Sequence, residues 1–228
     1  MGLLPAYLNT FHDQSDVSMN KTLISRADYQ QIFRTIYSVL MHEKADLPRA
    51  CVAFNVIGAV LLNEFYGIQS RPFAGIASYC VCSDPRSVIL FADQSGSQLT
   101  PADKAFHCWI ETKDWVIDFS TPLFPLITKE KNFPDPGRKM MQRKIASSKH
   151  SPQDLAIQGD FFLAPDQDFT LYTLKKFAEV PFHRDLIEIC RRWFVRPPDR
   201  MMPVIGLANQ HGKVAEVPFL RYEVIGAW

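Results

Sequence analysis

The sequence predicts an α+β fold, because segments with helical periodicity come first and short runs alternating with period two follow them. With 228 residues, 47% of them hydrophobic, the chain is long enough to bury a sizeable core. One domain is expected, with its core over about residues 25–124 and a C-terminal elaboration over 125–228.

Residues 1–24 show weak periodicity and read as an arm. Met1 to Phe11 is broken by Pro5 and has neither a basic start nor a long apolar stretch, so a secretory signal is not expected. Gly2 follows Met1, but Ala6 stands where a myristoylation signal needs a hydroxyl. Ser25 reads as a helix N-cap, after which Ile32, Phe33, Ile36, Tyr37 and Leu40 recur on one face. Pro48 ends that helix and opens the next, with Asp46 just upstream to complement the dipole. Cys51 therefore falls in the first turn of a second helix. The following residues to Phe65 are apolar almost all round except Asn55, as in a buried helix, and Gly67 supplies the stop.

The period then changes to two. Phe73–Cys82, Ser87–Asp93, Phe106–Thr112 and Trp115–Ser120 read as antiparallel strands. Asp84-Pro85 and Asp93-Gln94-Ser95-Gly96 supply turns, and Lys113-Asp114 fits a two-residue hairpin connection. Between Pro122 and Pro165 prolines and charges dominate, and the segment reads as linker or insertion. Tyr172–Ala178 and Phe182–Val195 look helical, and Val214–Val224 looks like a late strand.

Composition excludes several classes. Charged residues make up 21% of the chain and the formal net charge is +1, which favours neither disorder, nucleic acid nor a membrane surface. Val52–Leu62, the longest strongly apolar stretch, is too short to cross a bilayer as a helix. Five cysteines are an odd number for a disulfide scaffold, so free thiols and a cytoplasmic location are expected. Cys80 and Cys82 lack a second ligand pair and read as core, so no metal is expected, and no cofactor. The basic run Arg138, Lys139, Arg143, Lys144 and Lys149 reads as a solvated face, with anion binding as the alternative.

The candidate chemistry lies in the hairpin. If Lys113-Asp114 is its turn, Trp109 pairs with Asp118 and His107 with Ser120, which makes His107 and Asp118 diagonal neighbours on one face. A carboxylate that holds an imidazole fixes its tautomer and stabilises its cation, leaving the other ring nitrogen for a nucleophile. Cys51 is the candidate, since a helix N-terminus and an imidazolium both favour thiolate and its backbone N–H is available to an oxyanion. Asn55, one turn later in an apolar helix, needs a polar partner and is expected to support the site. Trp109, beside the base, is assigned with it to the supporting shell or substrate cleft.

His107-Cys108-Trp109, Trp115 and Asp118-Phe119-Ser120-Thr121-Pro122 resemble the His/Asp segment of the transglutaminase-like superfamily, where His-x-Trp is followed by a Trp and then Asp-x-Thr-Pro. This chain has one extra residue before Thr121-Pro122. Its Arg49-Ala50-Cys51-Val52 also departs from the Gly-x-Cys-Trp signature of transglutaminases. Cys51-Val52-Ala53-Phe54-Asn55 is similar to the Cys-aromatic-Glu-x-Asn stretch of arylamine N-acetyltransferases but lacks the Glu. The resemblance covers about residues 46–124 and implies a papain-like fold, with a nucleophile helix packed on an antiparallel sheet that carries His and Asp. It further implies a thiol enzyme using Cys51, His107 and Asp118 on a peptide, amide or thioester, as a hydrolase or as an acyltransferase. The competing expectation is a binding domain that keeps a remnant triad.

Overall fold

In the computed structural model, residues 22–208 and 211–228 are described. The readings of residues 1–21 as an arm without a signal or lipid site lie outside them. Helix α1 (Arg26–His42) starts at Ser25, whose Oγ accepts from the Asp28 N–H at 3.1 Å. Pro48 lies in a single 3-10 turn (Leu47–Arg49), and helix α2 (Cys51–Tyr66) begins at Cys51 itself. Gly67 closes α2 at φ 64°, the left-handed conformation that glycine adopts without a side-chain clash.

Strands β1 (Arg71–Ser83) and β2 (Arg86–Phe91) follow, then a small hairpin of β3 (Asp93–Ser95) and β4 (Gln98–Thr100). Next come β5 (His107–Glu111), β6 (Trp115–Asp118), α3 (Phe124–Glu130), β7 (Lys139–Lys144) and β8 (Phe161–Pro165). Helices α4 (Gln167–Glu179) and α5 (Pro181–Trp193), the β9 (Val204–Ala208) and β10 (Val214–Pro218) pair, and β11 (Gly226–Ala227) complete the order. The fold is α+β, as expected. Its main sheet runs β11-β7-β6-β5-β1-β2 with β8 also on β1, and every pairing in it is antiparallel except β11 with β7.

Two aspects of β1 position the site. Gly75 pairs with both His107 of β5 and Pro165 of β8, and Ala77 pairs with both Phe91 of β2 and Leu163 of β8. A strand has two edges, so β5 and β2 share one edge of β1 in succession while β8 takes the other. The beginning of β5 and the end of β2 therefore meet at one point, where His107 and Phe91 stack with ring centroids 4.4 Å apart. Gly75 sits at the crowded crossing, where a Cβ would come within 2.3 Å of the Ala164 carbonyl oxygen.

Helices α1, α2 and α5 bury their apolar sides with Ile110, Ile117 and Phe119 on one side of the sheet. Trp109, Val116, Met141, Phe161 and Phe124 form a second apolar cluster. Because strand residues alternate, His107, Trp109, Val116 and Asp118 point away from the Ile110 and Ile117 face. Gly58 lets α2 approach closely, since a Cβ there would meet the Phe119 ring at 2.3 Å.

The expectation of a linker over 122–165 is corrected. That segment supplies α3 and two strands of the main sheet. β7 escapes notice because its buried stretch, Met140-Met141-Gln142, is short and flanked by cations. Those cations lie along aromatic faces, part-buried Arg143 over Phe161 and exposed Lys144 over Trp115. The strand expected over Val214–Val224 ends at Pro218. Among the described residues no helix is long and apolar enough to cross a membrane.

Candidate active site

The hairpin has the expected register, with Ile110 opposite Ile117, Glu111 opposite Val116, and Thr112 N–H closing the turn on the Trp115 carbonyl at 2.9 Å. His107 and Asp118 consequently meet, the imidazole Nε2 lying 2.7 Å from Asp118 Oδ2. Both side chains are almost fully buried, at 2% and 0% exposure, so the pair is shielded from water and salt. Burial opposes ionisation of each partner, yet mutual attraction and hydrogen bonding prevail. His107 is raised from 6.5 to about 10, by the Asp118 charge and hydrogen bond with a further contribution from Cys51. Asp118 is held below the ordinary carboxylate range by the His107 charge and by hydrogen bonds from His107, Ser120 and Asn55. The pair is thus an imidazolium and a carboxylate at neutral pH.

Asp118 is held at every oxygen. Its Oδ1 accepts from Asn55 Nδ2 at 2.9 Å, the Ser120 N–H at 2.9 Å and Ser120 Oγ at 2.6 Å. Its Oδ2 accepts from the Tyr79 hydroxyl at 3.3 Å as well as facing His107. Its backbone carbonyl accepts from the Tyr29 hydroxyl and from Thr121 Oγ1. Burial first, then the Asp118 charge, pushes both phenols well above their ordinary value, so they stay protonated and keep donating. Ser120, the extra residue before Thr121-Pro122, therefore supplies two of the bonds that hold the carboxylate.

Asn55 ties the helix to the hairpin. Its Nδ2 donates to the Cys51 carbonyl at 3.0 Å and the Cys108 carbonyl at 2.8 Å in addition to Asp118, and its Oδ1 accepts the Phe119 N–H at 3.0 Å. One buried amide thus fixes the first turn of α2 against β5 and the end of β6.

Cys51 is the first residue of α2 and is 8% exposed. Ala50 provides no side-chain cap, so no side chain competes with a ligand for the amides of that first turn. The second imidazole nitrogen, Nδ1, is buried and makes no hydrogen bond. Cys51 adds to the upward shift of the ring, so the thiol is a neighbour of the imidazole. Phe91 stacks on the imidazole, and Tyr79 and Phe124 stand edge-on to it at 5.6 and 6.0 Å.

Trp109 is a packing residue. It shares the His107 face but is fully buried with Val116, Met141 and Phe161, and its Nε1 donates to Glu111 Oε1 at 2.9 Å. It packs the core two residues from His107 and does not line the cleft formed by Ala50, Val52 and Phe106. Sequence reasoning missed Tyr79, Phe91, Phe124, Ser120, Tyr29 and Thr121. Ser120 and Thr121 carried a signal, Thr121 in the Asp-x-Thr-Pro match and Ser120 as the inserted residue two positions after the carboxylate, where an Asp side chain bonds the backbone. The aromatic residues come from β1, β2 and α3, and only the folded sheet brings them to His107.

An open cleft of about 680 Å³ is lined by Ala50, Val52 and Ala53 of the turn that carries Cys51 and by Phe106 just before His107, while Cys51, His107 and Asp118 themselves do not line it. A second, of about 930 Å³, lies between α5 and the β9–β10 pair and is not lined by Cys51, His107 or Asp118. Among the described residues no group of three or more His, Cys, Asp or Glu is arranged to hold a metal ion. The basic run is occupied by internal partners. Arg138 covers Tyr222, Lys139 bonds Gln158 and covers Trp228, and Lys149 pairs with Asp160 at 3.3 Å.

Fold and site together define an α+β protein with a buried His–Asp pair beside a cysteine at a helix N-terminus. The chain belongs to the family described as protein of unknown function (DUF2026), which matches residues 25–228. It is similar to the crystal structure of genomics APC5867 at 31% identity and a TM-score of 0.80, over 91% of this chain and 98% of that one. No curated protein matches the chain.

Proposed function

We propose that this protein is a thiol hydrolase of papain-like, transglutaminase-like type that cleaves an amide through a Cys51 acyl-enzyme. The observation that carries the reading is the 2.7 Å His107–Asp118 pair, whose other ring nitrogen is left without a hydrogen bond beside Cys51. In this reading the Cys51 thiolate attacks the carbonyl carbon, and the oxyanion forms at the first-turn amides of α2. His107 gives its proton to the departing nitrogen as the C–N bond breaks, leaving a thioester and a free amine. Water then attacks the thioester while His107 takes its proton, and the acid departs with regeneration of the thiolate. Asp118 keeps the ring oriented throughout, and Asn55 and Ser120 keep Asp118 oriented.

Transfer of the acyl group to an amine shares every step up to the last. No residue of the run Arg138, Lys139, Arg143, Lys144 and Lys149 lines the cleft next to Cys51, which favours water over a coenzyme A route. The test is iodoacetamide labelling near neutral pH, with modified residues located by peptide mapping. Burial raises the thiols of Cys108 and Cys190, which leaves them poor competitors. Cys51 is expected to label selectively, less so at low pH, and at a changed rate in His107→Ala. Equal labelling of Cys51 and Cys190 would overturn the reading.

A further inference from the structure

The cleft beside Cys51 has a chemical character that the triad alone does not specify. Four aromatic residues line it: Phe106 from the approach to β5, Tyr172 and Phe177 from α4, and Phe182 from α5. His183 stacks on Phe177 with ring centroids 4.1 Å apart, which extends the aromatic wall. Tyr172 and Phe182 remain 42% and 43% exposed, so large apolar groups stand open at its mouth, an arrangement more typical of a binding surface than of a resting one.

Its charged residues cancel. Glu43, Asp46 and Asp103 face Arg49, Lys104 and Lys176 around the cleft, and two of the pairs are in contact, Arg49–Asp46 at 2.7 Å and Lys176–Asp103 at 3.0 Å. No net field therefore selects an ionic ligand. Lys176 also lies over the Tyr172 ring at 4.4 Å, and with Asp103 it ties α4 to the 101–106 loop, so this wall is braced before any ligand arrives. The volume, about 680 Å³, falls in the range of roughly 300–1,000 Å³ that encloses most of a small organic ligand.

We infer that this cleft is the specificity site of the Cys51 centre and that it takes uncharged amides bearing an aromatic or large aliphatic group close to the scissile carbonyl. The inference rests on the thiol-hydrolase reading for the bond that is broken. It rests on the cleft alone for the group that is bound. Ala50, Val52 and Phe106 join the two, since they adjoin Cys51 and His107 in the chain and line the cleft.

Two measurements on the full chain separate the readings. In the first, Cys51 alkylation is followed with N-methylchloroacetamide and N-(2-phenylethyl)chloroacetamide. The phenylethyl reagent is expected to react at least about tenfold faster, and saturably, because filling an apolar subsite with an aromatic ring is worth that factor or more. Tyr172→Ser with Phe182→Ser is expected to abolish the preference. Leu171→Ser, on the same helix but outside the cleft and 61% exposed, is expected to keep it. Selective Cys51 alkylation with equal rates for the two reagents overturns the cleft assignment alone, whereas failure of the small reagent to select Cys51 overturns the nucleophile. The second measurement removes the thiol: Cys51→Ala protein is titrated with N-acetylphenylalanine amide and N-acetylglycine amide, with amide chemical shifts as the readout. Tighter binding of the phenylalanine derivative, lost in the Tyr172/Phe182 double variant, supports the cleft. Equal binding of the two overturns it whatever the thiol does.

Discussion

Asn55→Ala tests the architecture of the site without touching its reacting atoms. The side chain has four buried partners at 2.8–3.0 Å, three of them acceptors that share the two Nδ2 hydrogens and one a donor to Oδ1. Asp118 Oδ1 keeps its two bonds from Ser120 when the amide is lost. The Phe119 N–H loses its acceptor and the Cys108 carbonyl loses a donor, deep between α2 and the sheet. Each buried orphan costs about 1–3 kcal/mol, so the variant is expected to lose about 2–6 kcal/mol of stability. Asn63 in the same helix is an internal control. It also reaches back four residues, to the Ala59 carbonyl at 2.7 Å, and bonds the Ser70 carbonyl at 2.8 Å, but it is exposed and water can replace it. Asn63→Ala should therefore cost no more than about 0.5–1.5 kcal/mol.

Urea denaturation of the two variants and the parent, with midpoints compared at a common slope, gives the difference directly. Asn55→Ala is also expected to slow Cys51 alkylation by small haloacetamides, because its amide fixes both the Cys51 carbonyl and Asp118. If the two alanine variants differ by less than about 1 kcal/mol, the buried network does not hold the helix to the hairpin and the reasoning fails.

Three further outcomes are expected. The folded His107 keeps its proton to about pH 10 whereas the unfolded imidazole keeps it only to 6.5, so its contribution to stability is complete below pH 6.5 and is lost as pH rises through 10. His107→Gln should flatten the decline in urea midpoint between pH 6 and pH 10, and an unchanged slope would count against the ion pair. Asp118, shifted the opposite way, contributes above its ordinary 3.8, and that contribution is lost as pH falls through its lowered folded value. Gly58→Ala gains helix propensity but drives a methyl into Phe119, and a net loss of about 1–3 kcal/mol by thermal or urea unfolding is expected. Ser25→Ala removes the α1 cap and should cost about 1 kcal/mol, measured in the same way.

How far the sequence revealed the site depended on the range of each contact. His107, Asp118 and the turn between them belong to one hairpin, so period-two alternation and a two-residue connection were enough to put them on one face. Cys51 was legible because Pro48 and the apolar run after it marked a helix start. Asn55 was legible because a lone amide in that run had to find a partner, although the identity of the partner was not. Tyr79, Phe91 and Phe124 were not legible, since their approach to His107 depends on which edge of β1 each neighbouring strand takes. β7 was hidden for a different reason: its cations lie along aromatic rings, and the pattern that normally marks a solvated segment here marks a strand beside the core.

The succession of β5 and β2 along one edge of β1 brings Phe91 onto His107. A histidine in the middle of a continuous sheet would have strands on both sides and a neighbouring side chain over each ring nitrogen. At the junction of the two strands Phe91 stacks on the imidazole and Asp118 holds its Nε2, while Nδ1 has no hydrogen-bond partner. Asn55 then determines what comes beside it, because the amide that bonds Asp118 also bonds the first turn carrying Cys51. A shift of one residue in the β5–β6 register would send Asp118 to the opposite face and leave Asn55 without its acceptor, so fold and site depend on the same register.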